Sequence, residues 1–437
     1  MNAGESIIMY TMRIKTTTHL LLCLILVLLL NAEPSPPPYL QLDTSKAQEM
    51  PSLCLESELD FLLSCQMPNG AIAQSPDQQL VIPYFANLAA QVLIPHNPGL
   101  VKSYMQWYLT NLNLPDRWGL EGTIYDFTVV NGELIPSYDY DSADSYAATF
   151  LSLVYQYATE TGNWDFLFHH RESLDMIAQV IIVLQDDDGL VWAKPNHRVK
   201  YLMDNAENYR GLTDWAQALS KMGEGEEAAR MLARSQAVRE GMQRLWDESS
   251  GNYAWGYSRW GLRRVRPTRW YPDGVAQLYP FLNGMTGPDD EQPLLAYHNL
   301  NVQFPNWGAG QVPDAFPWAM VAYSALRLGD EEMAQEFLAQ VAENFARRDR
   351  PYPWYILESA YTIKILKSLT QEGRGRQGKR RAVFIPNTTL SLFNMKTGRA
   401  MALLLSFLGP NYTSLRCSSK NSSMSPSILR TPEPLWT

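Results

Sequence analysis

Carboxylate and aromatic side chains occur in six short clusters along this sequence, each where an amphipathic helix is predicted to begin. The clusters span residues 83–87, 139–144, 204–209, 270–273, 314–318 and 352–358. Paired carboxyl groups can act as general acid and general base, and aromatic rings offer flat apolar surfaces to a ligand. If the clusters meet on one concave surface, they predict carbohydrate chemistry.

The clearest pair of carboxylates opens one of these helices. Asp141 and Asp144 are three residues apart, so they share one helix face. The helix start needs only one residue as its N-cap. Glycoside hydrolysis requires one protonated and one ionised carboxyl group. A helix N-terminus favours the ionised form, so Asp141 or Asp144 is the predicted catalytic base.

Two glutamates are candidates for the catalytic acid. Glu121 lies in a loop next to Trp118 and Tyr125, and Glu358 lies inside an aromatic last helix. Burial beside aromatic rings raises the pKa of a carboxyl group, which is what a general acid needs near neutral pH. We therefore predict Glu121 or Glu358 as the acid.

Other residues of the clusters are predicted to bind the substrate. The aspartates at helix starts have N-capping as their alternative role. Each aromatic residue could instead pack in the core, and Glu207 could lie on an exposed surface. The predicted substrate-binding residues are Tyr84, Asn87, Tyr125, Asp204, Glu207, Trp270, Tyr271, Asp273, Asp314, Trp318 and Trp354.

Helical hairpins are predicted to position these residues. Apolar periodicity indicates a first helix from about residue 52 and a last helix at 353–370. Between them the pattern predicts the pairs 80–95 with 97–113, 140–160 with 163–185, 204–222 with 224–246, 271–284 with 288–302, and 314–328 with 330–347. Short and long links alternate, so the long loops and the starts of the more apolar inner helices share one end. Asn131-Gly132 predicts a β-hairpin turn in one long loop.

Twelve helices in alternating pairs, with Asp-rich starts of the inner helices, resemble the six-hairpin glycosidase superfamily over residues 52–371. Asp141-Ser142-Ala143-Asp144 is similar to the Ser-Asp-Ala-Asp region of family-eight endoglucanases and chitosanases. Glu121-Gly122-Thr123-Ile124-Tyr125-Asp126, in the loop before Asp141, is similar to their Glu-Gly-x-x-Tyr-Gly element. The resemblance implies an all-α (α/α)6 toroid that cleaves glycosidic bonds of a poly- or oligosaccharide without a cofactor.

Two other functions stay open. One is a non-catalytic carbohydrate-binding scaffold on the same fold. The other is an eliminase of uronates, which would need basic residues at the mouth to hold the acidic sugar. The candidate basic residues are Arg263, Arg264, Arg266 and Arg269.

Composition limits the partners. The net charge of −9 argues against a nucleic-acid partner. The six His and four Cys residues show no metal-ligand spacing, so we expect neither a metal nor a cofactor. With 437 residues, 46% of them apolar, the chain has ample material for one large helical domain.

The N-terminal segment predicts export. Arg13 and Lys15 precede an apolar run at residues 20–30, so residues 1–32 are predicted to be a secretory signal peptide, with an uncleaved signal anchor as the alternative. A Pro-rich linker at 33–50, the toroid at 51–371 and a poorly ordered tail at 372–437 are predicted to follow. We expect a secreted or extracytoplasmic protein whose only membrane contact would be through residues 20–30.

Overall fold

The computed structural model describes residues 53–78 and 80–375, with side chains as far as residue 370. The predicted signal peptide or anchor, the linker at 33–50 and residues 376–437 of the predicted tail lie outside the described residues. Within the described part of the chain, no helix combines the length and apolarity needed to cross a membrane.

Helices dominate the described residues and follow the predicted pairs. They are α1 (Leu55–Ser64), α2 (Pro83–Leu93), α3 (Pro98–Thr110), α4 (Ala143–Thr161), α5 (Asp165–His169), α6 (Arg171–Leu184), α7 (Leu202–Lys221), α8 (Gly225–Gln243), α9 (Tyr279–Leu282), α10 (Glu291–Gln303), α11 (Ala319–Arg327), α12 (Glu331–Asn344) and α13 (Ile356–Gly375). The predicted all-α class is confirmed. The last helix continues past its predicted end at residue 370.

The inner helices contact one another in a closed circle. Helix α2 packs against α4, α4 against α7, α7 against α9, α11 against α13, and α13 back against α2. A 3-10 turn at Val275–Leu278, which leads into α9, contacts both α7 and α11. The outer helices α1, α3, α6, α8 and α12 pack against α13, α2, α4, α7 and α11, and α10 packs against the 3-10 turn. Helices α1 and α13 therefore form the pair that closes the ring.

One inner helix is broken where a continuous helix was predicted. In place of the helix predicted at 271–284, the chain forms a π turn (Trp270–Gly274), the 3-10 turn and the short α9. Pro272 and Pro280 lack the amide hydrogen that a helix interior requires. Tyr271 has an extended backbone, with φ −120° and ψ 136°. The outer helix predicted at 163–185 is likewise divided, at His170, into α5 and α6.

Short strands lie in the long loops that precede the inner helices. Strands β1 (Leu80–Val81), β2 (Phe127–Val130) and β3 (Glu133–Pro136) form one antiparallel sheet. The others are β4 (Val199–Tyr201), β5 (Trp246–Asp247), β6 (Asn252–Tyr253), β7 (Gly256–Ser258) and β8 (Gly261–Arg263), in the sheets β4-β7-β8 and β5-β6. Asn131 and Gly132 have φ of 53° and 83°, as a two-residue type I′ turn requires, which confirms the predicted hairpin.

Helices α4 and α7 pack backbone against backbone. A Cβ atom on Gly211 of α7 would lie 2.6 Å from both the Cα and the carbonyl oxygen of Ala148 in α4. Only a residue without a side chain fits there. This close approach sets the first turns of α4 and α7 beside each other, and those turns carry acidic residues.

Candidate active site

Side-chain hydrogen bonds join the beginnings of α4 and α7. Ser142, the residue before α4, donates its hydroxyl hydrogen to Asp204 Oδ2 at 2.9 Å. Asn208 of α7 donates in return from Nδ2 to Asp144 Oδ2 at 2.7 Å. Asp144, Asp204 and Asn208 are all buried. The two aspartates are thus held in fixed positions at the end of the ring where the long loops lie.

A third carboxyl group belongs to the same site. Glu207, one turn into α7, accepts a hydrogen bond of 2.5 Å from the hydroxyl group of Tyr84 in α2. Burial, and then the nearby Asp204, raise the pKa of Glu207 to about 8. The Tyr84 ring stacks on Tyr146 with centroids 6.1 Å apart. Tyr84 of α2 and Glu207 of α7 therefore line the site together.

Burial outweighs the helix N-terminus in setting the charge of the two aspartates. Desolvation, and then repulsion from Asp141, raise the pKa of Asp204 to about 7. Desolvation, and then Asp204, raise the pKa of Asp144 well above its usual range. The helix dipole alone would favour the ionised form of both. The helix dipole stabilises an anion by about 0.3–2 kcal/mol. Full burial can raise the pKa of a carboxyl group by up to about 3–5 units, and each unit corresponds to about 1.4 kcal/mol, so burial is the larger effect.

Asp141 completes the group, which we call the carboxyl cluster: Asp141, Asp144, Asp204 and Glu207. Asp141 has an exposed surface, in contrast to the three buried members. The walls around it still desolvate its carboxyl group, and this raises its pKa to about 6, against the opposing effect of Lys194. Asp141 is therefore the member of the cluster that a ligand reaches first.

Asp126 borders the cluster and was missed by the sequence reasoning. It accepts a hydrogen bond of 2.8 Å from the Tyr146 hydroxyl group. Desolvation raises its pKa to about 7, the Tyr146 bond opposes this, and Asp141 adds to it. Its position at the end of the string that begins at Glu121, directly before β2, was the only signal in the sequence.

The structure does not bring Glu121 to the cluster. Glu121 is exposed, and a Cβ on the adjacent Gly122 would lie 2.6 Å from the backbone of Met176 in the outer helix α6. Tyr125 accepts a hydrogen bond of 2.7 Å from the Arg117 amide, and its ring packs against Tyr138 and Tyr140. Glu121 and Tyr125 thus lie in the loop before α4, and the Tyr125 ring packs against other rings of that loop.

Glu358 closes the start of α11. Its Oε1 and Oε2 atoms accept hydrogen bonds from the amides of Trp318 and Ala319, at 3.2 and 2.6 Å. Trp318 has a left-handed backbone, with φ 64° and ψ 50°, and it offers no side-chain cap. Burial raises the pKa of Glu358 to about 7, and the two amides oppose that shift. Both carboxylate oxygens accept hydrogen bonds from the backbone, so Glu358 stabilises the first turn of α11.

Three other predicted site residues are engaged within the fold. Asp273 is buried, accepts a hydrogen bond of 2.6 Å from the Arg266 amide and pairs with Arg269 at 3.5 Å. Asp314 accepts from the amide of Phe316 at 2.9 Å. The Asn87 side chain donates to Tyr146 and Thr149 and accepts from Tyr104. These contacts secure loops and helix packing.

Some of the aromatic candidates pack in the core of the protein, and others border the carboxyl cluster. Trp270 and Trp354 are almost completely buried, the first against Phe304 and the second against Phe345. Tyr271 is half-buried and stacks on Trp318 with centroids 4.9 Å apart. Asp141 and Asp204 both raise the pKa of Tyr271, after its burial, so this ring borders the carboxyl cluster.

Three of the four arginines expected of a uronate site already have partners. Arg264 pairs with Asp247, and Arg269 pairs with Asp273. Arg263 lies over the ring of Trp255 at 5.2 Å. Within residues 53–78 and 80–375, no group of three or more His, Cys, Asp or Glu residues has the arrangement of a metal site.

Comparison with known proteins identifies the fold. No family model and no curated protein matches the sequence. A wild-type glycosidase structure aligns with 72% of this chain and 95% of its own, with a TM-score of 0.55 and 15% identity. A glycosidase variant in complex with glucose gives the same coverage and identity, with a TM-score of 0.53. A rhamnosidase from Klebsiella oxytoca with rhamnose bound aligns with 72% of this chain and 63% of its own, with a TM-score of 0.52 and 14% identity.

These likenesses confirm the predicted glycosidase-like fold. The weaker similarity to family-eight endoglucanases and chitosanases stays a prediction.

Proposed function

We propose that this protein hydrolyses glycosidic bonds of a poly- or oligosaccharide at the carboxyl cluster, with Asp204 as general acid and Asp141 as general base. The observation that carries the proposal is the pair of interacting carboxyl groups with unequal surroundings. Asp141 is exposed with a pKa of about 6, and Asp204 is buried with a pKa of about 7. Between these values one group is mostly ionised and its neighbour mostly protonated, which is the division that glycoside hydrolysis requires.

The balance of protons follows from these two roles. Asp204 gives its proton to the glycosidic oxygen as the bond to the anomeric carbon breaks. A water molecule attacks that carbon, and Asp141 takes one of its protons. The released sugars carry one water between them, and the two carboxyl groups have exchanged protonation states. A proton transfer through solvent restores them.

Asp204 suits the acid better than its buried neighbours do. It keeps 7% of its surface exposed, whereas Asp144 is fully buried. Glu207 is occupied by the short hydrogen bond from Tyr84. Asp144 and Glu207 therefore serve to position α7 and to keep the surroundings of Asp204 poorly solvated. Tyr84, Tyr271 and Trp318 supply aromatic surface for the sugar rings.

Elimination is less favoured. An eliminase of uronates needs free basic groups at the mouth, and three of the four candidate arginines are engaged elsewhere. Lys194, the basic residue beside Asp141, is bonded to Asp139 and to the carbonyl oxygen of Tyr140.

The proposal is tested by incubating the full chain with a panel of neutral and acidic polysaccharides and oligosaccharides. New reducing ends and the ultraviolet absorbance of unsaturated uronates would be measured together. We expect reducing ends without absorbance, lost in Asp141→Asn and Asp204→Asn. Asp187→Asn is the matched control, because Asp187 is exposed in another loop. Absorbance would indicate elimination, and sugar binding without either product would indicate a non-catalytic scaffold.

Export is part of the same proposal. It rests on the basic residues and the apolar run of residues 1–32. Fusion of residues 1–50 to a reporter enzyme in secretory cells should release reporter into the medium. Reporter retained in the membrane fraction would favour the signal anchor, and cytosolic reporter would contradict export.

A further inference from the structure

A cavity of about 520 Å³ lies inside the ring beneath the carboxyl cluster. Its wall includes Glu160 near the end of α4, Arg327 at the end of α11 and Asn283 directly after α9. It therefore extends towards the ends of the inner helices where the short links lie. Glu207 lines its upper part, so one residue borders both the cavity and the carboxyl cluster. The volume is in the range of about 300–1,000 Å³ typical of small-molecule sites.

Four basic side chains line this cavity: Arg210, Arg327, Lys364 and Lys367. The lining contains two acidic residues, Glu160 and Glu207. Glu207 has a raised pKa and holds Tyr84, so it is a poor counter-ion at neutral pH. Glu160 is exposed, as are Arg210 and Arg327, and it accepts a hydrogen bond from Gln156 at 2.7 Å. The wall is therefore positively charged.

Most of these cations have no carboxylate partner. Arg210 pairs with Asp214 at 2.6 Å, behind the cavity wall. Arg327 donates to the hydroxyl group of Tyr323 at 3.0 Å, and Lys364 lies over the ring of Tyr361 at 4.6 Å. Among the described residues, no carboxylate forms an ion pair with Arg327, Lys364 or Lys367. Burial lowers the pKa of Lys367, and attraction to Glu160 opposes that shift, so Arg327 and Lys364 are the cations without a carboxylate nearby.

The like charges act on one another. Desolvation, and then repulsion from Arg210, Arg327 and Lys367, lower the pKa of Lys364 to about 8. Cations near a helix C-terminus can be stabilised by the helix dipole, but this effect extends only over the last turn. Arg327 satisfies that condition, whereas Arg210, Lys364 and Lys367 lie more than two turns before the ends of α7 and α13. The dipoles of their own helices therefore do not stabilise the positive charges of these three residues.

We propose that this cavity binds a small phosphate-bearing molecule, whose phosphate group lies between Arg327 and Lys364 and whose uncharged part packs on Tyr361. Arg and Lys are the residues that hold phosphate through charge-assisted hydrogen bonds. A phosphate monoester carries about −1.5 to −2 charges at neutral pH, which would offset two of the uncompensated cations. The cavity has room for more than the phosphate group, so an organic phosphate is preferred to the free anion. The proposal is independent of catalysis at the carboxyl cluster.

The test measures binding of glucose 6-phosphate, inorganic phosphate and glucose to the full chain by isothermal titration calorimetry at constant ionic strength. Wild type is compared with Lys364→Met, Arg327→Gln and the control Lys221→Met. Lys221 is an exposed lysine at the end of α7 that does not line the cavity. We expect one molecule of glucose 6-phosphate to bind per chain. We expect its affinity to fall by about tenfold or more in either cavity variant, because each removes one charge-assisted hydrogen bond to the phosphate group. Lys221→Met should bind as wild type does.

Each result decides the proposal. Binding of inorganic phosphate with the same dependence on Lys364 and Arg327 would support the site and assign it to the free anion. Glucose that binds as tightly as glucose 6-phosphate, or cavity variants that bind as wild type does, would overturn it.

Thermal unfolding without ligand provides a second readout that does not need a correct probe. Lys364→Met should raise the melting temperature, since it removes a desolvated charge surrounded by three cations. An unchanged or lower value would contradict the uncompensated charge on which the site depends.

Discussion

The hydroxyl group of Ser142 donates a hydrogen bond of 2.9 Å to the carboxyl group of Asp204. Ser142 precedes α4, and Asp204 lies in the first turn of α7, so the bond joins two inner helices at the end where they begin. A donor stabilises the ionised form of a carboxyl group, so Ser142 opposes the burial that raises the pKa of Asp204. The balance leaves that pKa at about 7, where a general acid is effective.

Replacing Ser142 by alanine should shift this balance. Without the donor, the pKa of Asp204 should rise further, and the alkaline limb of the pH–activity profile should move to higher pH. The shift should be about one to two pH units, because a hydrogen bond to a charged group contributes about 1.5–3 kcal/mol and one unit corresponds to about 1.4 kcal/mol. The measurement is kcat/KM against pH for Ser142→Ala, with Ser64→Ala as an exposed control. An alkaline limb that stays in place would show that Asp204 is not the group that sets it.

The wild-type pH profile should be a narrow bell. Activity should rise as Asp141 ionises around its pKa of about 6 and fall as Asp204 loses its proton around its pKa of about 7. Because the two groups interact, the apparent values belong to the pair. Measured kcat/KM from acidic to alkaline buffer checks this. A plateau that extends well into the alkaline range would contradict an acid with the surroundings of Asp204.

The contact between α4 and α7 predicts a stability effect. Gly211→Ala would place a Cβ atom 2.6 Å from the backbone of Ala148, so the two helices would have to separate. Overpacking of this kind typically costs about 1–3 kcal/mol in the free energy of unfolding. Gly225→Ala is the matched control, because a Cβ at this helix start meets nothing within 4 Å. Chemical denaturation of both variants measures the difference, and equal stabilities would contradict the close packing.

The raised pKa of Glu207 should make the stability of the fold depend on pH. Its pKa is raised to about 8 in the folded chain, so it favours folding most below its unfolded pKa of about 4.3. That contribution is lost as the pH rises through about 8. The melting temperature should therefore fall less in Glu207→Gln than in wild type between acidic buffer and buffer above that pKa. Identical declines would show that Glu207 titrates normally in the fold.

Hydrophobic periodicity was sufficient to predict the helical hairpins and the end of the ring where the long loops lie. It did not predict the break at Tyr271, where two nearby prolines force separate short turns. The turn at Asn131-Gly132 was predictable because its conformation depends on local residue type.

The charge states of the site depend on tertiary contacts that a sequence does not display. Asp204 and Glu207 were predicted to bind substrate. Burial, and then repulsion from Asp141, raise the pKa of Asp204 to about 7. Burial, and then repulsion from Asp204, raise the pKa of Glu207 to about 8, against the hydrogen bond from Tyr84. Glu121 was a candidate acid from its aromatic neighbours in sequence, but Gly122 packs on α6 and leaves Glu121 exposed. Glu358 is buried, as predicted, and its carboxylate oxygens accept hydrogen bonds from the amides of Trp318 and Ala319 at the start of α11.

The most direct test of the central claim compares Asp204→Asn and wild type on two substrates with the same sugar. One is the oligosaccharide that the panel identifies, and the other is the glycosyl fluoride, whose leaving group needs no proton. If Asp204 is the acid, the variant should lose about 10²–10⁴-fold in kcat on the oligosaccharide and much less on the fluoride. Glu121→Gln should match wild type on both. Equal losses of Asp204→Asn on the two substrates, or wild-type activity on the oligosaccharide, would contradict the assignment.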